Sequence, residues 1–176
     1  MATALKASGV CVGATILLAL SLTACGTSGV PEASVRGGAV PLTAVHIGTP
    51  DHIFQQAIGT FGQDPNGSMG GKTQYLSRMP DENGGQYVVQ TKNDRCFEIS
   101  VLHAAKPISK EVAIKTLRAL LPADAPEAKV DDSQLSNAAA PTELFAFGDK
   151  FKGQLLYTDK SGKEVKIISA SQTAPM

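Results

Sequence analysis

The chain has 176 residues, with 16 basic against 16 acidic side chains and no tryptophan. A chain with balanced charges and no clustered basic residues has no general electrostatic attraction for nucleic acid or anionic lipid. This excludes functions that depend on a strongly basic surface, so nucleic acid is not an expected partner. The length fits one domain with additional segments.

The first 24 residues are typical of a secretory signal peptide. Lys6 places a positive charge ahead of an apolar run over residues 10–22, and small residues follow this run. A membrane-spanning helix needs about 20 apolar residues, so the run is short for a permanent anchor. We therefore expect residues 1–24 to be removed from the mature protein.

The end of this segment reads Leu22, Thr23, Ala24 and Cys25. One aliphatic residue, two small residues and a cysteine resemble the lipobox of bacterial lipoproteins, and the resemblance covers residues 1–26. It implies cleavage before Cys25 and a diacylglyceryl group on the Cys25 sulfur, which makes the membrane a partner through this lipid. The alternatives are an ordinary signal peptide with an unrelated cysteine, or an uncleaved anchor.

The same resemblance implies a location in the cell envelope. Gly26 follows the cysteine, whereas lipoproteins retained in the inner membrane of two-membrane bacteria tend to carry aspartate there. The resemblance therefore implies the outer membrane if the source has two membranes, and otherwise the outer face of the cell membrane. One acyl chain binds a membrane only reversibly, so a durable anchor requires two or three chains.

Composition divides the remaining chain into three parts. Residues 26–45 are rich in Gly, Ser, Thr, Ala and Pro, which cannot bury a core, so residues 25–45 are predicted to be the lipidated cysteine and a flexible tether. Residues 46–170 are predicted to form a single α+β domain, and residues 171–176 a frayed tail. Cys96 is the one cysteine of this domain, so no internal disulfide is expected.

The predicted elements begin with a helix over residues 50–61, capped by Thr49 and ended by Gly62. Its apolar stripe consists of Ile53, Phe54, Ala57, Ile58 and Phe61. A glycine-rich loop follows over residues 62–72.

Three strands are then predicted, over residues 73–77, 86–91 and 96–103, as an antiparallel meander. In a regular third strand, Cys96 would share a face with Glu98, while His103 would point to the opposite side.

A second helix is predicted between its cap Ser109 and Pro122. Residues 123–142 read as a long connection with a short helix near 132–139, and residues 145–147 as an extension of the sheet. Residues 151–158 and 164–170 form the clearest hairpin. The resulting prediction is an α+β two-layer sandwich, an antiparallel sheet with two helices on one face, in the order α-β-β-β-α-β-β.

Motifs that suggest enzymatic chemistry are incomplete. Residues 67–73 resemble a phosphate loop, but Asn66 occupies a required glycine position and a turn follows where the motif needs a helix. Asn66 also interrupts a serine-hydrolase elbow around Ser68. Cys96 and His103 are separated too far along one strand to act as nucleophile and base.

Metal ligation is not predicted either. The spacing of His46, Asp51 and His52 fits no standard site. The acidic pairs at residues 81–82 and 131–132 lack the full calcium-loop pattern. The sequence therefore predicts no catalytic residue, no cofactor-binding residue and no metal ligand.

The expected function is a lipid-anchored extracytoplasmic binding or interaction module with an unknown envelope protein or cell-wall ligand as partner. One alternative is an inhibitor- or stress-type lipoprotein that blocks another protein. A second is a small extracytoplasmic hydrolase, for which His52, Glu98 and His103 are the candidate titratable groups.

Overall fold

A computed structural model of the protein describes residue 35 and residues 37–137 and 139–173. The predicted signal peptide, Cys25 and the first part of the predicted tether lie outside the described residues. No helix in the described ranges is long and apolar enough to cross a membrane.

The described chain is an α+β structure, as predicted, with a nine-stranded sheet whose pairings are antiparallel. The helices are α1 (Asp51–Gln56) and α2 (Lys110–Ala119). The strands are β1 (Phe61–Asp64), β2 (Lys72–Ser77), β3 (Gln86–Lys92), β4 (Arg95–Leu102), β5 (Ile108–Ser109), β6 (Ala128–Asp131), β7 (Thr142–Phe147), β8 (Phe151–Tyr157) and β9 (Glu164–Gln172). Leu42–Ala44 and Ser133–Ser136 form short 3-10 helices.

The sheet order is β1-β2-β3-β4-β9-β8-β7-β6, and β5 pairs with β9. The chain thus uses one topology twice, because α1 precedes the meander β1 to β4 and α2 precedes the meander β6 to β9. The last strands of the two meanders, β4 and β9, pair with each other. Ser100 and Ser169 are the middle pair of their register, so the two halves of the sheet are related by an approximate two-fold axis at this point.

Both helices contact one cross-strand row of the sheet. This row contains Tyr75, Val89, Ile99, Ala170, Gly153 and Phe145. Phe54 of α1 stacks on Tyr75 with ring centroids 5.3 Å apart. Leu117 of α2 lies over Gly153, where an added Cβ would come within 2.9 Å of the leucine methyl carbons. Gly153 therefore lets α2 approach the sheet closely.

The first helix is shorter than the apolar stripe predicts. It ends at Gln56, and the chain turns so that the Gly59 N–H donates to the Gly38 carbonyl at 2.6 Å. A Cβ at Gly59 would lie 2.9 Å from that carbonyl oxygen, so the contact requires glycine. Phe61 then begins β1 and packs edge-on against Phe54, which explains why its spacing imitates that of a helix.

The second helix begins where the sequence predicts. The Ser109 side chain accepts a hydrogen bond from the Val112 N–H, which confirms the predicted cap. Near the other end, the Arg118 guanidinium donates to the carbonyls of Ala125 and Pro126. These bonds fix the chain that leaves the helix.

The predicted element order is incomplete. The five predicted strands are present, but the order lacks β1, β5 and β6 and treats β7 only as an extension. The sequence of residues 128–131 resembles a connection because β6 is a short edge strand without buried alternation. The sequence does not predict the strand β1 at residues 61–64, because Phe61 has the spacing of the preceding helix.

The predicted side-chain parity of the third strand is wrong. The register between β3 and β4 shifts, so Gln90 pairs with Glu98 while Thr91 pairs with Cys96. Phe97 is the additional residue of this β-bulge, and a bulge reverses the alternation beyond it. Cys96 is therefore buried on the same side as Ile99.

Both predicted domain boundaries are displaced. Val40 and Val45, inside the predicted tether, are buried, and the Val40 N–H and C=O both bond the Thr60 hydroxyl. The packed chain therefore begins before residue 46. At the other end, β9 continues through Gln172, because β8 supplies a partner strand for residues that the sequence alone presents as a polar tail.

Candidate functional site

The cross-strand row that includes Tyr75 and Gly153, which both helices contact, is called the helix-contacting row. The side chains that alternate with it along the strands point to the other side of the sheet and form what we call the open face. One row of this face contains Leu76, Val88, Ser100, Ser169, Gln154, Leu144 and Asp131. The next row contains Gln74, Gln90, Glu98, Ser171, Lys152, Ala146 and Lys129. These side chains are partly or fully exposed, in contrast to the buried helix-contacting row.

Side-chain hydrogen bonds show that the open-face residues share one side of the sheet. The Gln74 amide donates to the Asp64 carboxylate at 2.9 Å, and the Gln90 amide donates to the Gln74 oxygen at 3.4 Å. The hydroxyls of Ser100 and Ser169 are hydrogen-bonded at 2.9 Å. These contacts follow the registers of β1 to β3 and of β4 with β9.

Two adjacent pockets lie on the open face. The polar pocket has a volume of about 490 Å³, and its charged and polar lining includes Glu98, Lys129, Asp131, Lys152, Gln154 and Ser171. The apolar pocket has a volume of about 350 Å³ and is lined mainly by Val88, Leu102, Leu156 and Ile167, with Ser100 and Ser169. Gln154 and Ser169 line both pockets, so the pockets adjoin each other, and we refer to the two together as the depression.

The depression extends across several strands of the sheet. The polar pocket touches residues of β4, β9, β8, β7 and β6. The floor carries short side chains, among them Ser100, Ser169 and Ala146, while longer side chains stand around it. A depression of this size falls within the range of about 300–1,000 Å³ that is usual for ligand sites.

Glu98 is the carboxylate nearest the centre of the sheet on this face. It is half-buried and is opposite Gln90 on one neighbouring strand and Ser171 on the other. Within the described ranges, its carboxylate forms no hydrogen bond or ion pair. A half-buried charge without a partner has lost part of its hydration, so it is suited to bind a cationic group.

The three titratable candidates for hydrolysis do not converge. His52 lies on the exposed side of α1, and Glu98 is on the open face. His103 is buried, with its ring under the backbone of Gly85. Burial lowers the pKa of His103, although the Asp81 carboxylate and the Asn83 backbone oppose this shift.

The Cys96 thiol is also buried away from the open face. Burial raises its pKa far above the ordinary value, and the thiol contacts the Glu98 carbonyl at 3.7 Å. A thiol with a raised pKa and no exposure is a poor nucleophile. The structure thus places Cys96 and His103 on one buried side, although without the geometry of a reactive pair.

The residues considered for metal binding have other partners. The Asp51 carboxylate accepts from the Tyr75 hydroxyl at 3.1 Å, from Gln55 at 2.5 Å and from the Thr91 hydroxyl. His46 Nδ1 contacts the Ile47 carbonyl. Across the described ranges, no group of three His, Cys, Asp or Glu side chains has metal-binding geometry.

Asp51 instead joins α1 to the sheet, because its hydroxyl partners belong to β2 and β3. Lys110 has the corresponding position at the start of α2, and its ammonium contacts Glu143 of β7 at 2.6 Å. Glu143 also accepts from the Tyr157 hydroxyl of β8 at 2.5 Å. Each helix is therefore attached at its first residue to the two middle strands of the meander that follows it.

The glycine-rich segment forms the connection between β1 and β2. The Ser68 hydroxyl donates to the Asp64 carbonyl and accepts from the Gln74 N–H, so it closes this connection. A strand follows, not the helix that a phosphate loop requires. Ser68 thus has a local structural role in the hairpin.

Sequence reasoning missed most residues of the open face. The alternation of Lys152, Gln154 and Leu156 along β8 indicates that these three side chains share one side of the sheet, which is the part of the open face that the sequence could predict. The pairing of β4 with β9, which joins Glu98 and Ser100 to that strip, connects distant segments and leaves no local signal.

No protein-family model, curated protein or solved structure matches this chain.

Proposed function

We propose that this chain is a bacterial lipoprotein, anchored to a membrane of the cell envelope through lipid on Cys25, whose folded part is a binding module. Its partner, an envelope protein or a cell-wall ligand, binds on the open face. The motif Leu22, Thr23, Ala24 and Cys25 supports the anchor, and the depression on the sheet supports the binding role.

The proposed architecture is a two-layer sandwich, with both helices on one face of the sheet. Stacking of Phe54 on Tyr75 and the approach of Leu117 to Gly153 support it, because Tyr75 and Gly153 belong to the same cross-strand row. Among the described residues, this arrangement leaves the opposite face without a covering layer, available for a partner.

The observation that carries the binding role is the content of the depression. Half-buried aliphatic side chains of Leu102, Leu156 and Ile167 line the apolar pocket, and the neighbouring polar pocket contains a carboxylate, Glu98, that has no partner in the described chain. Exposure of these groups does not stabilise the folded protein. A bound partner would cover the aliphatic side chains and form an ion pair with the Glu98 carboxylate.

Fatty-acid labelling tests the anchor. Cells that express the wild-type chain or Cys25→Ala receive a clickable fatty acid, and the chain is then examined by blotting and membrane fractionation. We expect label and membrane association for the wild type only. Equal labelling of both chains, or none of the wild type, would refute lipidation at Cys25.

Site-specific photocrosslinking in intact cells tests the binding role. A photoreactive amino acid replaces Gln154 on the open face or, as a matched control, Lys115 on the exposed side of α2. We expect a discrete adduct from position 154 that position 115 does not give. Absence of any adduct from position 154, in cells that contain the folded chain, would contradict binding through this face.

A further inference from the structure

We propose that the open face binds an extended segment of a partner protein, in which a basic residue and a large apolar residue are two positions apart. The inference rests on the proposed binding function and specifies the chemistry of the partner. Glu98 pairs with the basic side chain, while the apolar side chain enters the pocket above Ser100 and Ser169.

The charge of the segment follows from Glu98. This carboxylate lies at the junction of the two meanders and is half-buried and unpaired within the described chain. Lys152, on the second strand from it, is exposed, and Lys129 stands at the outer strand of the pocket. A basic group at the centre would satisfy Glu98, while an acidic group there would leave it buried without a partner.

The size of the second side chain follows from the floor of the apolar pocket. Ser100 and Ser169 leave space above the sheet, and Val88, Leu102, Leu156 and Ile167 surround this space. The volume of about 350 Å³ accommodates a large aliphatic or aromatic side chain. The two hydroxyls offer hydrogen-bond partners to an indole N–H or a phenol O–H, which large aromatic side chains retain when buried.

The spacing follows from the strand. Glu98 and Ser100 are two residues apart in β4 and face the same side, which separates them by about 7 Å at about 3.4 Å per residue. An extended segment aligned with β4 repeats its side chains on one face with the same period. The matching pattern is therefore basic residue, any residue, large apolar residue.

The lining as a whole favours a polypeptide over other macromolecules. Cationic and anionic side chains line the polar pocket, and aliphatic side chains line the adjacent apolar pocket. Nucleic acid requires a predominantly basic surface, and an acyl chain would leave Glu98 without a partner. A protein segment carries charged, polar and apolar groups together.

Tryptophan peptides provide a direct probe, because the chain contains no tryptophan. The full chain in detergent micelles is titrated into acetyl-Gly-Arg-Ser-Trp-Gly-amide or its Glu-Ser-Trp counterpart, and indole fluorescence is recorded against empty micelles. We expect saturable binding with about tenfold higher affinity for the basic peptide, the factor that 1.4 kcal/mol provides. Equal affinity, or no saturable binding of the basic peptide, would overturn the proposal.

Two variants locate the binding. Glu98→Gln keeps the shape of the side chain and should remove the preference for the basic peptide, whereas Glu111→Gln on the exposed side of α2 should retain it. Ser169→Leu fills the apolar pocket and should weaken both peptides. If Glu98→Gln, shown to be folded by its thermal transition, retains the preference, the inference is wrong. A persistent crosslink from position 154 would then leave the binding function standing with a partner of different chemistry.

Discussion

The hydroxyl oxygens of Ser100 and Ser169 lie 2.9 Å apart at the centre of the pairing between β4 and β9. Each serine belongs to the last strand of a four-stranded meander, so this hydrogen bond joins the two halves of the sheet. The same two side chains form the floor of the apolar pocket. One contact is therefore part of both the seam of the fold and the proposed binding site.

The two serines should be coupled energetically. Ser100→Ala alone should lower the free energy of unfolding by about 1 kcal/mol, because it leaves one hydroxyl without its protein partner. Adding Ser169→Ala should cost little more, since the remaining hydroxyl is also removed. Urea unfolding of the two single variants and the double variant measures the coupling, and strictly additive losses would contradict it.

Asp51 should be among the most sensitive polar residues of the fold. Asp51→Ala removes a buried carboxylate that accepts bonds from Tyr75, Thr91 and Gln55, and we expect a loss of about 3 kcal/mol in unfolding free energy. Chemical denaturation of this variant, beside Gln56→Ala on the exposed side of α1, provides the test. Equal small effects would show that α1 does not depend on this attachment.

The same network changes the pKa of a tyrosine. Burial, followed by the charge and hydrogen bond of Asp51, raises the pKa of Tyr75 to about 12.

The buried His103 should make the protein less stable in acid. Its pKa is lowered from the ordinary value of 6.5, chiefly by burial, so the unfolded chain binds the proton more readily than the folded one. The contribution of His103 to stability is therefore complete above about pH 6.5. It is lost as the pH falls toward the lower pKa of the folded state.

Unfolding free energies from pH 8 to pH 5 should reveal this loss in the wild type. His103→Leu has a similar volume and no proton to gain, so the decline should be smaller in this variant. Neither ring nitrogen of His103 has a well-formed hydrogen bond within the described chain, so the variant should also be no less stable at pH 8. Parallel declines in the two proteins would exclude His103 as the cause.

Thiol counting connects the fold with the anchor. If the chain is processed before Cys25, as we propose, this residue and Cys96 are the cysteines of the mature chain. With Cys25 acylated and Cys96 buried, a thiol reagent should find no reactive group in the native protein and one after denaturation in guanidinium. A native thiol that disappears in Cys25→Ala would instead show that Cys25 is unmodified.

Local sequence patterns predicted the elements that depend on neighbouring residues. Ser109 caps α2 because its hydroxyl reaches the Val112 N–H three residues later. The hairpin of β8 and β9 is readable because its apolar alternation flanks a short polar turn. These features need only short-range spacing and capping, which any sequence displays directly.

Other elements depended on partners that are distant in sequence. Phe61 has helical spacing but becomes the first residue of β1, because Gly59 meets the backbone of Gly38 and ends the helix. The β-bulge at Phe97 places the Cys96 side chain on the opposite side of the sheet from the predicted one. The pairing of β3 with β4 alone determines where this bulge lies. Period-based reasoning has no access to such insertions.

The sequence by itself determined two local elements, the capped helix α2 and the final hairpin, while its lipobox-like motif ending at Cys25 predicts a lipid anchor. The tertiary structure alone decided the candidate site. Ser100 and Ser169 are 69 residues apart, and Glu98 reaches the same depression as Lys152 only because β4 pairs with β9. Such long-range pairings are selected by the packing of the whole sheet against its helices, which no short window of sequence contains.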